Sequence, residues 1–259
     1  MIMRIEGQVA LVTGASGGIG AALVDSLLDA GAARVVACDV QEAALAALAR
    51  RSPRIDTLLL DVTDEAAVAA AASGHPDVGI LINCHGLAIQ QSYLEAPSLA
   101  AFRREMEVNY WGQVLMCRAF APVLMRAEEG ALVNVLSPLA YVTFPFVAPY
   151  CATKAACRAL TDAMRAEFAP AGALVIGVYP GNIDTAMMSN VDVPKSDPHV
   201  VAHAVVEGLR SGLQEVWAGA SAEEIRDMLK SDPDALIAAA ARQLRIANIN
   251  AAGQTVSIG

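Results

Sequence analysis

The sequence predicts a doubly wound α/β domain with a mostly parallel sheet, and three observations carry that prediction. Short β-branched or apolar runs of strand length recur along the chain, separated by stretches whose apolar residues keep helical spacing; this alternation builds parallel sheets covered by helices. The first run, residues 8–13 (QVALVT), ends in a glycine-rich turn that opens a helix. The 259 residues, 55% hydrophobic and 17% charged, are enough to bury one large core and too apolar for a disordered chain. A single domain over 1–259 is expected, its part from about 186 onward being divergent and helical.

Taken in order, the first strand hands over to a helix in which Ile19, Leu23 and Leu27 recur until Gly31. Between them, Gly14, Gly18 and Gly20 let backbone amides approach a pyrophosphate at a helix N-terminus, where the dipole favours anions. Read alone, a tight connection is the lesser of the turn's two readings. The second strand, Arg34 to Cys38, ends in Asp39, roughly 20 residues past the glycines, where dinucleotide-binding folds place an acid on the adenosine ribose. Leu58 to Leu60 form a third strand leading to Asp61 and Val62; Thr63, Asp64 and Glu65 then read as the acidic start of an alanine-rich helix. Ile80 to Ile82 form the fourth, followed by Asn83-Cys84-His85-Gly86.

From Ser98 to about Glu129 the spacing predicts one long helix with Phe102, Met106, Asn109 and Gln113 on a single face. A lone asparagine on such a face reads by itself as a satisfied core amide. Ala131 to Leu136 form the fifth strand and Leu174 to Tyr179 the sixth, with a helix from near Pro149 to Ala169 between them. The turn Pro180-Gly181-Asn182-Ile183-Asp184-Thr185 follows. Beyond it the pattern gives a short lid over Met187–Pro198, a helix marked by Val201, Val205 and Leu209, and a last strand at Gln214–Ala218. Two further helices are signalled by the capping box Ser221-x-x-Glu224 and by Asp232-Pro233. The last ten residues carry no readable pattern.

The chemistry concentrates in residues 137–154, SPLAYVTFPFVAPYCATK. Tyr150 and Lys154 stand four apart on a helix and so share one face, which brings the ammonium near the phenol and favours its ionised form. A phenol of ordinary pKa about 10 costs roughly 4 kcal/mol to ionise at pH 7, whereas one neighbouring cation shifts a pKa by about 1–3 units. Lysine alone barely suffices; a second positive charge and the positive end of the helix must add to it. Ser137 closes the fifth strand, thirteen residues before the tyrosine, and offers a hydroxyl to the same place.

Thr13, Gly14, Gly18 and Gly20 in the spacing TGxxxGxG, together with Ser137, Tyr150 and Lys154, resemble the short-chain dehydrogenase/reductase family over about Gly7 to Thr185. The resemblance implies a Rossmann-type fold, a nicotinamide dinucleotide, and hydride transfer between a ketone and a secondary alcohol, with Ser137, Tyr150 and Lys154 catalytic. It implies that Asn109 holds a water relaying protons to the lysine. Cofactor contacts are implied at Gly14, Ser16, Gly18, Ile19 and Gly20, at Asp61 and Val62 beside the adenine, at Asn83 and Gly86, and at Tyr150 and Lys154. Pro180, Gly181, Ile183 and Thr185 match PGxxxT, which in the family faces the nicotinamide carboxamide. His85 replaces the family's usual small residue, and packing is its favoured reading. The glycine-rich C-terminal strand that most members use in tetramer packing is not found, so the expectation is a homo-oligomer, dimer or tetramer, paired through the helices at 98–129 and 150–169.

NAD(H) is the expected cofactor, because Asp39 would repel a 2′-phosphate and no cation stands at Val40 or Gly17. The formal charge of −9 and pI near 4.9 argue against nucleic acid and anionic membranes as partners and for a small-molecule substrate. Leu139, Tyr141, Phe144, Phe146, Val147, Met187 and Met188 suggest apolar pocket walls, with core packing an equal reading. The five cysteines form no C-x-x-C pair and read as reduced core thiols; His199 and His203, at i and i+4, lack a third ligand, so no metal is expected. Prolines interrupt the uncharged stretch 131–153, which excludes a membrane span, and with no targeting segment the cytoplasm is the default location. The alternatives are a dinucleotide-binding regulatory protein without turnover, an NADP(H)-dependent carbonyl reductase, and a sugar epimerase or dehydratase. The last needs a larger substrate domain than the residues after Thr185 supply.

Overall fold

Alternate residues of each central strand enter opposite cores, and this period of two decides the architecture. In the computed structural model, which describes residues 3–94 and 96–239, β1 (Val9–Thr13) sends Ala10 and Val12 to one side and Leu11 to the other, all at 0% exposure. The remaining strands are β2 (Arg34–Asp39), β3 (Ile55–Leu59), β4 (Val78–Asn83), β5 (Ala131–Val135), β6 (Leu174–Pro180) and β7 (Glu215–Ala218). They form one sheet in the order β3-β2-β1-β4-β5-β6-β7, with every pairing parallel. The sheet is thus entirely parallel among the described strands.

Helices α1 (Gly18–Asp29), α2 (Glu42–Ala49) and α7 (Pro198–Ser211) bury Leu23, Leu27, Leu45, Val201 and Val205 on one face. On the other, α3 (Glu65–Gly74), α5 (Gly112–Leu124) and α6 (Ala148–Phe168) bury Val68, Met116, Phe120 and Phe168. Strand order reverses between β1 and β4, where Thr13 pairs in register with Asn83. Such a reversal opens a crevice at the carboxyl ends of the strands.

Three expectations change. The long helix predicted over 98–129 is α4 (Ala100–Met106), a π turn (Glu107–Trp111) and α5, and it stops at Leu124. Apolar periodicity cannot reveal a one-residue excess inside a helix. The capping box at Ser221 does not form: α8 (Ala220–Ser231) is capped two residues earlier, by Gly219, and Ser221 Oγ accepts the Asn182 N–H at 2.8 Å instead. The segment predicted as a lid opens with a 3₁₀ turn, Ala186–Met188, and is tied back by a bridge from Ile183 to Ser196. Asp232 does cap the next helix, accepting the Ala235 N–H at 2.9 Å, and residues 233–239 are helical. The last ten residues lie outside the described part.

A buried polar chain crosses the sheet beside the crevice. Asn83 Nδ2 donates to Asn134 Oδ1 at 2.9 Å, Asn134 Nδ2 donates to Thr161 Oγ1 at 2.9 Å, and Thr161 donates to the Cys157 carbonyl at 2.8 Å. Asn134 has 0% exposure, so neither neighbour can find water in its absence. Asn134→Ala is expected to lower unfolding free energy by about 2–4 kcal/mol in urea titration, with an unchanged m-value.

Candidate active site

The crevice begins where β1 ends. Thr13 Oγ1 accepts the Cys84 N–H at 3.1 Å and lies 2.7 Å from His85 Nδ1, which locks the turn after β1 to the turn after β4. Gly14 takes φ +63°, in the left-handed region, with the His85 Cα 2.9 Å from where a side chain would start. At Gly18 a Cβ would lie 2.7 Å from Thr185 Cγ2, so bare backbone is what lets the glycine turn meet the turn after β6.

Gly17 caps α1 without a side-chain hydrogen bond, which leaves the first-turn N–H groups of a 12-residue helix directed at the crevice. Asp39 stands at the far lip. Its Oδ2 accepts from Ser16 N (3.1 Å) and Ser16 Oγ (2.6 Å), and its Oδ1 from Val40 N (2.8 Å) and Gln41 N (3.1 Å). An anion-ready helix start with a fixed carboxylate beyond it fits a dinucleotide's pyrophosphate and ribose. Ser16, expected as a direct contact, also anchors Asp39.

Other expected contacts divide. Asp61 accepts both the N–H (2.9 Å) and the hydroxyl (2.7 Å) of Thr63, and these bonds, with Arg104 nearby, hold its carboxyl below the usual range. Val62 and Ile19 sit beside the crevice turns, Val62 against Gly112. The Asn83 side chain belongs to the core chain described above. Gly86 faces Asn109 Oδ1 and Lys154 Nζ, 3.4 and 3.8 Å from where its Cβ would be. Pro180 ends β6, Gly181 packs beneath Ser221, Ile183 is buried, and Thr185 meets Gly18.

The reacting groups come together. Ser137, just past the end of β5, lies near enough to the Tyr150 phenol to favour its ionised form, and its hydroxyl accepts the Leu139 N–H at 3.2 Å. Lys154 is 4% exposed, and its Nζ donates to the Val135 carbonyl at 2.8 Å and lies 5.6 Å from the Tyr150 ring centroid. Burial pushes the phenol above its ordinary value, and the ammonium and Ser137 pull the other way without winning. The imbalance matches the expectation that lysine alone does not suffice.

Asn109, in the π turn, is a brace. Its amide accepts from Leu87 N (2.7 Å) and donates to Leu87 O (2.8 Å) and Thr153 Oγ1 (2.9 Å), while Thr153 donates to the Tyr150 carbonyl (2.8 Å). The Asn109 carbonyl accepts the Cys157 thiol at 3.1 Å. Thr153 escaped sequence reasoning because a threonine inside a helix carries no signal of its own.

The apolar walls also change. Phe144 and Phe146 are half-buried with ring centroids 6.0 Å apart, and Met187 is exposed, but Val147 is core. Tyr141 leaves the pocket for a cluster in which its hydroxyl meets the Tyr179 hydroxyl and both lie within reach of the Glu215 carboxylate, with Arg158 4.7 Å over the Tyr141 ring. His199 pairs with Asp197 at 2.9 Å. All five cysteines are free thiols, and no described helix is long and apolar enough to cross a membrane.

A doubly wound domain with a bare glycine turn, an acid after β2 and a Ser-Tyr-Lys cluster defines an oxidoreductase that binds a nicotinamide dinucleotide. The short chain dehydrogenase family model matches residues 8–195, and the chain belongs to that family. It is similar to a short chain dehydrogenase from Burkholderia cenocepacia J2315 solved in complex with NADP, at 44% identity and TM-score 0.86, covering 92% of this chain and 99% of that one. It is 36% identical over 185 residues to the 2-keto-3-deoxy-L-fuconate dehydrogenase of Xanthomonas campestris pv. campestris, across 70% of this chain and 60% of that enzyme's length. Carbonyl reductase (NADPH) 2 of Sus scrofa is 34% identical over 201 residues, 77% of this chain and 80% of that one.

His85 gives the site a measurable signature. Burial, with Lys154 nearby, lowers its pKa to about 3, against about 6.5 in an unfolded chain. Between those values the unfolded chain binds one proton more, so stability is full above pH 6.5 and falls as the pH drops. His85→Leu is expected to flatten the pH dependence of urea stability below pH 6.5 by up to about 1.4 kcal/mol per unit.

Proposed function

We propose that this chain is an NAD(H)-dependent oxidoreductase that interconverts a ketone and a secondary alcohol on a hydrophobic substrate, working as a homo-oligomer. The observation that carries the reading is Tyr150 between the Ser137 hydroxyl and the buried Lys154 ammonium. In the reducing direction Tyr150 gives its phenolic proton to the carbonyl oxygen, and Ser137 donates a hydrogen bond to the same oxygen. Lys154 stabilises the phenolate that results, and reaches for the ribose. Asn109 holds Leu87 and Thr153 so that these groups stay in register and, in the proposed relay, passes protons toward Lys154 through water. A bound nicotinamide supplies or takes the hydride. Alcohol oxidation reverses each proton movement.

Asp39 supports NAD(H): its carboxylate is fixed where the adenosine ribose belongs, and Val40 beside it is exposed and uncharged. The NADP held by the 44% identical relative favours the second reading, an NADP(H)-dependent carbonyl reductase. Comparing kcat/KM with both cofactors separates them: at least about tenfold preference for NAD(H) is expected from charge repulsion, and equality or reversal selects the second reading. Half-exposed Phe144 and Phe146 support aryl or cyclic ketones over small charged keto acids. Exposed Trp111 and Met125 on the π turn and at the end of α5 support pairing of subunits there, to be checked as at least a dimer by light scattering.

Tyr150→Phe should abolish turnover and leave dinucleotide affinity nearly unchanged; a large residual rate would reject the mechanism. Because burial raises the phenol and oxidation needs its ionised form, the oxidation rate should climb with pH through that ionisation. Ketone reduction needs the protonated form and should be lost over the same interval.

A further inference from the structure

Glu105 lies on the face that α4 turns toward α6, with 0% exposure. Its Oε1 accepts the Ile89 N–H at 2.9 Å, and its Oε2 is buried without a hydrogen-bond partner. Asn109, four residues on, accepts the Leu87 N–H, so two side chains of one helix face hold alternate amides of the segment after β4. That segment begins at Gly86, against Lys154 Nζ. α4 packs on α6, which carries Cys151 and Lys154; these two and Tyr93, in the segment after β4, are the titratable groups whose charge couples to Glu105, and Lys154 is the cation among them.

An amide would satisfy Ile89 as well, and an apolar side chain would avoid the desolvation a carboxyl meets here. Burial does push the Glu105 carboxyl up, while the Ile89 N–H and Lys154 draw it back. What a carboxylate adds is a buried negative charge on the helix packed against the one that carries the lysine.

We propose that Glu105 is a positioning residue for proton transfer, a buried counter-charge that offsets part of the Lys154 ammonium's pull on the Tyr150 phenol and so sets the pH at which the site changes from proton donor to proton acceptor. The inference rests on the reading of Tyr150 as the acid–base group. With Glu105 ionised, Tyr150 keeps its proton to higher pH, and the site is biased toward donating that proton to a ketone.

The test is kcat for oxidation of 1-phenylethanol or cyclohexanol by NAD across pH, in wild type and Glu105→Gln. Glutamine keeps an acceptor for Ile89 and removes the charge. The acid limb should move to lower pH by about 0.5–1 unit, less than a contact ion pair gives, making oxidation on that limb about 3- to 10-fold faster. A merely structural role would lower the rate at every pH or raise KM without moving the limb. Glu105→Val, which suits the apolar surroundings, should move the limb the same way and serves if the glutamine variant does not fold. Tyrosinate absorbance, with Tyr150→Phe as the blank, should show the same displacement without turnover. Superimposable limbs and titrations overturn the proposal. An active Tyr150→Phe enzyme would instead overturn the reading beneath it.

Discussion

A buried ammonium is the constraint on which the active half of the molecule depends. Lys154 is almost fully removed from water and has to be compensated from within. The Val135 carbonyl accepts one of its protons, which ties α6 to the end of the strand that presents Ser137. The same charge works against the desolvation of Tyr150 and lowers the basicity of His85. Displacing α6 along its axis would break all of these relations together, which explains why Thr153, Asn109 and Leu87 lock its first turns from the other side.

The dinucleotide half rests on backbone instead. Glycine makes room at the strand reversal, the start of α1 is left without a side-chain cap, and Asp39 is held as a fixed charge at the far lip. Ser16 joins the two: by holding Asp39 from within the glycine turn, it makes the position of the carboxylate follow the position of that turn. A lock between Thr13 and His85 then sets this half at a fixed distance from the Tyr150 half.

Much of this was legible in the sequence because it depends on local pattern. Strand runs such as 131–136 and 174–179 are continuous and apolar because parallel strands are covered on both faces, and the glycine spacing and the Tyr150 and Lys154 pair need only a few neighbouring residues. What escaped depends on distant partners. Ser221 looked like a helix cap by its spacing to Glu224, yet a backbone amide 39 residues away claims its hydroxyl. Tyr141 follows Ser137 in sequence but turns toward Glu215, 74 residues on. Glu105 gave no signal because Arg103, Arg104 and Glu107 around it disguise a buried position as part of a charged surface.

The π turn at Glu107–Trp111 changes what the helix on either side can do. One surplus residue rotates everything after it by roughly 100° relative to an unbroken helix. Burial still runs on in steps of three and four, from Phe102 and Glu105 through Asn109 and Gln113 to Met116, Phe120 and Leu124, the last of them packed on the sheet. A single rod thus serves two masters: its first part packs on the helix that carries Tyr150 and Lys154 and its second on the sheet, and the surplus residue sits where the one gives way to the other.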